Sequence, residues 1–306
     1  MHQKAGHLSE KKESRNLFIT VFLNLLISAV ELVGGILSNS LALISDALHN
    51  FSDGIAILIT YITIKISKKA PNSQLTFGYK RIQIMAAMFN ALTLIAICLF
   101  LLVEAYKRLM KPEEIEGFSM LYIAGIGLIA NLAGVFLLKD FSSKNLNIKA
   151  AYLHLIGDTL SSVAVIIGGL LIIFFKVYWV DPVITLLISV YIIKETWEVI
   201  AETYNILMQS GPKNLELEPI ASKIMAINGI KNIHHIHVWQ LTDKELHFEA
   251  HIEMENDMLL SAAQKKREEV HEMLVHDFGF THITLQTELD ACPRTTLIAS
   301  NTYCCD

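Results

Sequence analysis

The chain has 306 residues, of which 53% are hydrophobic and only 18% charged, and its formal net charge is −5. A soluble protein carries closer to a quarter charged residues, so this composition argues against a wholly soluble chain. The apolar excess fills residues 16 to about 203 and the remainder is of ordinary soluble composition, which predicts a membrane domain followed by a soluble one.

In chain order, a short basic tail (1–15) precedes six apolar windows at 16–37, 41–64, 82–103, 118–138, 150–175 and 181–203. Each reaches the roughly 20 residues that a spanning helix needs. The second and sixth are the most polar of the six. The first is too long for a signal peptide, carries Glu31 and lacks a small-residue cleavage pattern. Cations alternate between the connections. Lys4, Lys11, Lys12 and Arg15 precede the first window, Lys65, Lys68, Lys69, Lys80 and Arg81 follow the second, and Lys139, Lys144 and Lys149 follow the fourth. In the connection after the third window, Lys107, Arg108 and Lys111 are matched by Glu113, Glu114 and Glu116. The positive-inside rule then predicts both termini in the cytoplasm.

After SGP at 210–212 the sequence turns soluble and acidic. From 209 to 306 it holds 8 Lys and Arg against 15 Asp and Glu, a net of −7, whereas the first 208 residues hold 17 against 15, a net of +2. Such a domain argues against nucleic acid and suits cations. Its pattern predicts a helix (about 215–227), two strands (230–241 and 245–254), a helix (259–276) and a third strand (281–288). Strand two alternates Leu246, Phe248, Ala250, Ile252 and Met254 with His247, Glu249, His251 and Glu253, which predicts a small α+β domain whose sheet has one open face. Cys98, Cys292, Cys304 and Cys305 form no disulfide framework.

Chemistry enters in the second window, where LHNFSD contains His49 and Asp53, and returns in the fifth, where LHLIGD contains His154 and Asp158. Residues four apart share one helix face, so each helix can direct an imidazole and a carboxylate at the same point. Two such helices in contact would build a four-ligand N₂O₂ site suited to Zn²⁺, with Co²⁺ or Cd²⁺ also accommodated and Mn²⁺ or Mg²⁺ less suited. A carboxylate at the bilayer centre costs about 2.5–3.5 kcal/mol, a cost that a bound cation offsets. The plainer alternative is His–Asp hydrogen bonding between helices. Its weakness is that the pair occurs twice. Asp46 is expected near the membrane boundary, and Asn24 and Asn90 as interhelical hydrogen-bonders. Gly157, Ser161, Ser162, Gly168 and Gly169 would admit a close helix neighbour.

The stretches SNSLALISDALHNFSDGIAI, FGYKRIQIMAAMFNALTL, NIKAAYLHLIGDTLSSVAVIIGG and HIHVWQL resemble the cation diffusion facilitator family, in its zinc/cadmium/cobalt exporter branch, over about residues 14 to 290. The resemblance implies an all-α, six-transmembrane-helix transport domain (16–208), a metallochaperone-like cytosolic domain of order α-β-β-α-β that binds metal and dimerises (209–290), and a Cys-containing tail (291–306). It implies a homodimer in the bilayer that exports a divalent metal, Zn²⁺ foremost, against H⁺ by alternating access. By the same resemblance His49, Asp53, His154 and Asp158 are the transport ligands, and His237, His251, His282 and Glu288 bind metal in the cytosolic domain. His7, Cys292, Cys304 and Cys305 could complete a further centre. No organic cofactor and no nucleic-acid partner is expected. Gln286 departs from relatives with His there, no His-rich stretch follows the fourth window, and the 66–80 loop lacks His, Asp and Cys, so an extra site in that loop is not expected. His234, His271 and His276 are expected on the solvated surface. The short chain suggests a bacterial cytoplasmic (inner) membrane.

Two other functions are weighed against the exporter. An intramembrane zinc hydrolase would keep an open water position on its metal, which four protein ligands leave no room for, and it would need a separate general base. A passive metal channel would conduct independently of the pH gradient.

Overall fold

The computed structural model describes residues 22–142, 146–289 and 297–298. Contacts divide the chain into two compact units, one formed by residues up to 62 together with 86–200, the other by 63–85 together with 201 onward.

The first unit is helical. Its elements are α1 (Phe22–Ser38), α2 (Leu41–Ser67), α3 (Ile82–Met110), α4 (Gly117–Ser142), α5 (Leu146–Phe175) and α6 (Val180–Leu207), with the ends of α2, α3 and α6 running into the second unit. Four of these helices, α2 to α5, are long and apolar enough to cross a membrane. Among the described residues α1 is a shorter apolar helix, and the 28-residue α6 is broken in hydropathy by Asp181, Lys194, Glu195, Glu198 and Glu202.

Burial in this unit is inverted relative to a soluble protein. Phe89, Phe100, Phe136 and Phe174 point outward, while Ser28, Glu31, Asp46, Asn50, Asp158 and Asp181 are buried. Hydrocarbon solvates the first group and not the second, so the polar side chains gather between helices. Small residues let the helices close up. A Cβ on Gly168 would come within 2.6 Å of the Ile184 side chain of α6, and one on Gly169 would lie 3.6 Å from the Leu121 backbone of α4, as expected from their place in the fifth window. An apolar cluster of Leu43, Met120, Val165 and Ile172 joins α2, α4 and α5. Another, of Leu94, Cys98 and Ile192, joins α3 and α6.

The start of α2 is clasped by α6. Asp181, fully buried, accepts hydrogen bonds from the Ser40 hydroxyl (2.5 Å) and the backbone amides of Leu41 (2.8 Å) and Ala42 (3.3 Å). Ser40 in turn accepts from the Leu43 amide. The free amides of a helix N-terminus thus meet a carboxylate, as both hydrogen bonding and the helix dipole favour.

The second unit contains α7 (Leu217–Met225), β1 (Ile230–Gln240), β2 (Leu246–Met254), α8 (Leu260–Phe278) and β3 (His282–Glu288), the α-β-β-α-β order read from the sequence. The sheet order is β1-β2-β3, antiparallel between β1 and β2 and parallel between β2 and β3. Phe248, Ala250 and Ile252 on central β2 pack with Ile220, Ile224, Val270, Leu274 and Phe280 to form the core. Gly279 ends α8 in the left-handed region at φ +72°, and its amide closes the last turn.

The other sheet face is not wholly open. Phe77, from the α2–α3 loop, packs edge-on against His247 and His282, whose ring centroids lie 5.4 and 6.1 Å from its own. Lys80 from the same loop pairs with Glu245 at 2.6 Å. His247 is only 2% exposed as a result, with Trp239 stacked on it. Alternation alone cannot reveal a loop that returns from elsewhere in the chain to cover a polar face.

Candidate metal centre

On α2 the four-residue spacing brings His49 Nε2 to 3.6 Å from Asp53 Oδ2, and on α5 it brings His154 Nε2 to 3.6 Å from Asp158 Oδ2. The helices meet at these pairs. His154 Nε2 lies 3.1 Å from Asp53 Oδ2, and the two imidazoles stand edge to face with centroids 5.7 Å apart. Ligand atoms of His49, Asp53 and His154 all lie within 4.8 Å of one another, with Asp158 adjoining through His154. Asp158 is only 3% exposed. Oδ2 of Asp158 and Nδ1 of His49 are buried without a hydrogen-bond partner among the described residues, and Oδ2 of Asp53 is buried with His154 Nε2 at 3.1 Å. Orphaned acceptors of this kind fit a cation that would complete them.

Polar neighbours surround the cluster. Asp46 is buried and accepts a 2.5 Å hydrogen bond from Ser161 of α5. Its place is three residues before His49 on the buried side of α2. Asn131 of α4 donates to Ser162. Asn90 lines a cavity beside the cluster, while Asn24 Oδ1 has no described partner, so neither makes the interhelical bond expected of it among the described contacts.

Two cavities open onto these residues. One of about 650 Å³ runs past Gly157 and Tyr191, and one of about 310 Å³ runs past Thr60, Asn90 and Thr196. His49, His154 and Glu195 line both. Glu195 is a site residue that the sequence reading did not single out. Its available signal was a carboxylate inside an apolar window.

A second cluster lies on the polar face of the sheet. His251 Nδ1 is 2.7 Å from Glu288 Oε1, His234 Nε2 is 3.2 Å from Glu288 Oε2, and ligand atoms of the three lie within 4.8 Å of one another. His234 is 2% exposed, not solvated, and neither of its ring nitrogens has an aligned hydrogen bond among the described residues. A bulge lies between His234 and His237, with His235 at φ +53°. The extra residue sends both Ile233 and Ile236 into the core and leaves His234 opposite His251. His237 is exposed and contacts His235, and His282 contacts His247, so neither joins the Glu288 group. Burial, and then the nearby His251 and His237, hold the His235 pKa below its usual value. Burial, and then His282, do the same for His247. His7, Cys292, Cys304 and Cys305 lie outside the described residues.

Residues 17–208 match the cation efflux transmembrane domain, and residues 212–290 match the cytoplasmic domain of cation efflux proteins. Over 292 residues the chain is 37% identical to the metal cation efflux system protein CzcD of Cupriavidus metallidurans, a match covering 95% of this chain and 92% of that protein. Over 264 residues it is 36% identical to the cadmium, cobalt and zinc/H(+)-K(+) antiporter of Bacillus subtilis, covering 86% and 85%. Over 293 residues it is 33% identical to the zinc transporter ZitB of Escherichia coli, covering 94% and 91%. The chain therefore belongs to the cation efflux family, the cation diffusion facilitators, and is a metal-cation transporter and not an enzyme.

Proposed function

We propose that this protein exports a divalent transition metal, Zn²⁺ foremost with Cd²⁺ and Co²⁺ beside it, from the cytoplasm in exchange for protons. His49, Asp53, His154 and Asp158 are the transport ligands. The observation that carries this reading is the meeting of two His/Asp pairs from α2 and α5 within a few ångströms, among buried acceptors that lack partners. Metal binding needs neutral imidazoles and ionised carboxylates, so loading releases protons and protonation expels metal. Histidine titrates near the pH of the cell and suits that role. The relatives' names as zinc transporter and as cadmium, cobalt and zinc/H(+)-K(+) antiporter point the same way.

In this reading α1 and α6 complete six spans, residues 16–208 form the transport domain, and the sheet domain (209–290) is cytosolic and holds a homodimer together. Both termini face the cytoplasm of a bacterium, and the membrane is its inner one. Alternating access would present the four ligands to one side and then to the other.

In proteoliposomes with an inward-acid gradient, His154→Ala is expected to abolish zinc flux. Wild-type flux in a chain with both His49 and His154 changed to Ala would sink the assignment, and flux indifferent to the gradient would make the protein a channel.

A second metal position is carried by His234, His251 and Glu288. There the Glu288 carboxylate already lies within 3.2 Å of two imidazoles, one of them buried without an aligned hydrogen bond. Metal at this point would regulate transport. Zinc titration of the full-length protein is expected to lose one site in His251→Ala, and an unchanged stoichiometry would refute it.

A further inference from the structure

We infer that Glu195 on α6 is the carboxylate that first receives the incoming divalent cation and passes it to the His49, Asp53, His154 and Asp158 cluster. The inference rests on the transport reading above and adds to it a residue from a third helix.

The two cavities that reach the cluster share three residues, and Glu195 is the one among them that belongs to neither His/Asp pair. It lines the larger cavity together with both His154 and Asp158. Its carboxylate accepts a hydrogen bond at Oε1 from the Tyr191 hydroxyl one turn earlier. Glu195 is exposed on a helix that carries several charges, and a carboxylate that lines a cavity inside a membrane domain marks an ion pathway.

Direction follows from the lining. The smaller cavity is bounded by Ala56 and Thr60 late in α2, Ala86 and Asn90 early in α3, and Thr196 and Val199 late in α6. These positions lie at the end of the bundle where the basic 63–85 segment joins α2 to α3, the cytoplasmic end by charge. Glu195 stands where that cavity meets His49 and His154. The cavity, about 310 Å³, can admit a hydrated cation. Six waters fill roughly 180 Å³ at about 30 Å³ each.

The chemistry needs such a station. A hydrated divalent ion cannot enter a compact tetrahedral shell until it sheds water, and a fixed negative charge at the entrance raises its local concentration while that exchange proceeds. Glu195 would hold the ion through its water shell and then lose it to the inner ligands. It therefore governs how readily metal loads, whereas the four inner ligands govern how tightly metal is held. The competing role is structural, with Glu195 and Tyr191 merely stabilising α6 as a four-residue pair.

The test uses the full-length protein in proteoliposomes, with initial zinc flux measured against zinc concentration, together with equilibrium zinc binding to the purified protein. Glu195→Gln is expected to raise KM roughly tenfold, the lower end of what charge focusing supplies. Equilibrium Kd should stay within about twofold of wild type, because the inner shell is intact. Glu195→Asp should restore most of the loss, and Tyr191→Phe should leave KM unchanged. A wild-type KM in the Gln variant overturns the inference. So does a Kd that rises in step with KM, or a Tyr191→Phe variant that reproduces the defect. Glu195→Ser replaces the Gln variant if the latter fails to assemble, judged by the same outcomes. His154→Ala is run beside them. If it transports normally the transport reading fails, whereas a dead His154→Ala with a normal Glu195→Gln removes only the role of Glu195.

Discussion

Replacing Asp181 by Ala tests whether the clasp between α6 and α2 holds in place the helix that carries the proposed ligands His49 and Asp53. The carboxylate is fully buried and accepts three hydrogen bonds, from the Ser40 hydroxyl and the amides of Leu41 and Ala42. Alanine would strand three buried donors at about 1–3 kcal/mol each if none found another partner. Ser40 can rotate, and amides at a helix start can relax, so the net loss should fall near the lower end of that sum, about 3–5 kcal/mol. Asparagine keeps one acceptor oxygen and loses the charge at the helix N-terminus, which should cost about 1–2 kcal/mol. His49 lies only about 12 Å further along α2 at 1.5 Å per residue, so a frayed start loosens the ligand as well as the fold. Thermal unfolding of the full-length protein in detergent, paired with zinc flux in proteoliposomes, measures both effects. The order of stability should be wild type, Asp181→Asn, Asp181→Ala, with flux falling in the same order. An Ala variant within about 0.5 kcal/mol of wild type would show that the clasp contributes nothing beyond an ordinary surface contact.

Phe248→Ala removes a fully buried ring from the centre of the sheet domain and should cost about 3–5 kcal/mol, read as loss of amide-exchange protection confined to that domain. Glu288→Gln should weaken zinc binding at the sheet cluster while leaving the transport site loaded, which a two-site zinc titration distinguishes. The pKa of His247 is lowered from 6.5, so the folded chain holds it neutral while the unfolded chain protonates first. Stability of the sheet domain should therefore be unaffected by this group above pH 6.5 and fall as pH drops below it. His247→Phe should flatten that dependence in metal-free buffer, and an unaltered pH profile would assign the effect to other groups.

Much of this protein could be read from its residues in order. Hydropathy alone locates the helical part, because a spanning helix must be apolar along its whole length. The repeated His-x-x-x-Asp pattern names four ligand candidates, because a four-residue spacing is a property of any helix and needs no knowledge of its neighbours. Alternation marks the second strand of the sheet domain, whose bounds at 246–254 fall within a residue of those read from the sequence. Asp46 shows the limit of such reading. Its buried bond to Ser161 of α5 depends on which helix lies alongside, and no local pattern records that.

His234 shows the same limit in the sheet domain. His234, expected on the solvated surface, is buried where His251 of β2 and Glu288 of β3 lie beside it, neighbours that no local pattern records. Phe77 and Lys80 become part of the sheet domain only because their loop folds back onto it. Glu195 acquires meaning only where two cavities converge on it. The sequence by itself determined which residues could bind a metal and which segments could lie in a membrane, since both follow from side-chain chemistry and short-range geometry. The tertiary structure decided which of those residues share a point in space, since that depends on contacts between segments far apart in the chain.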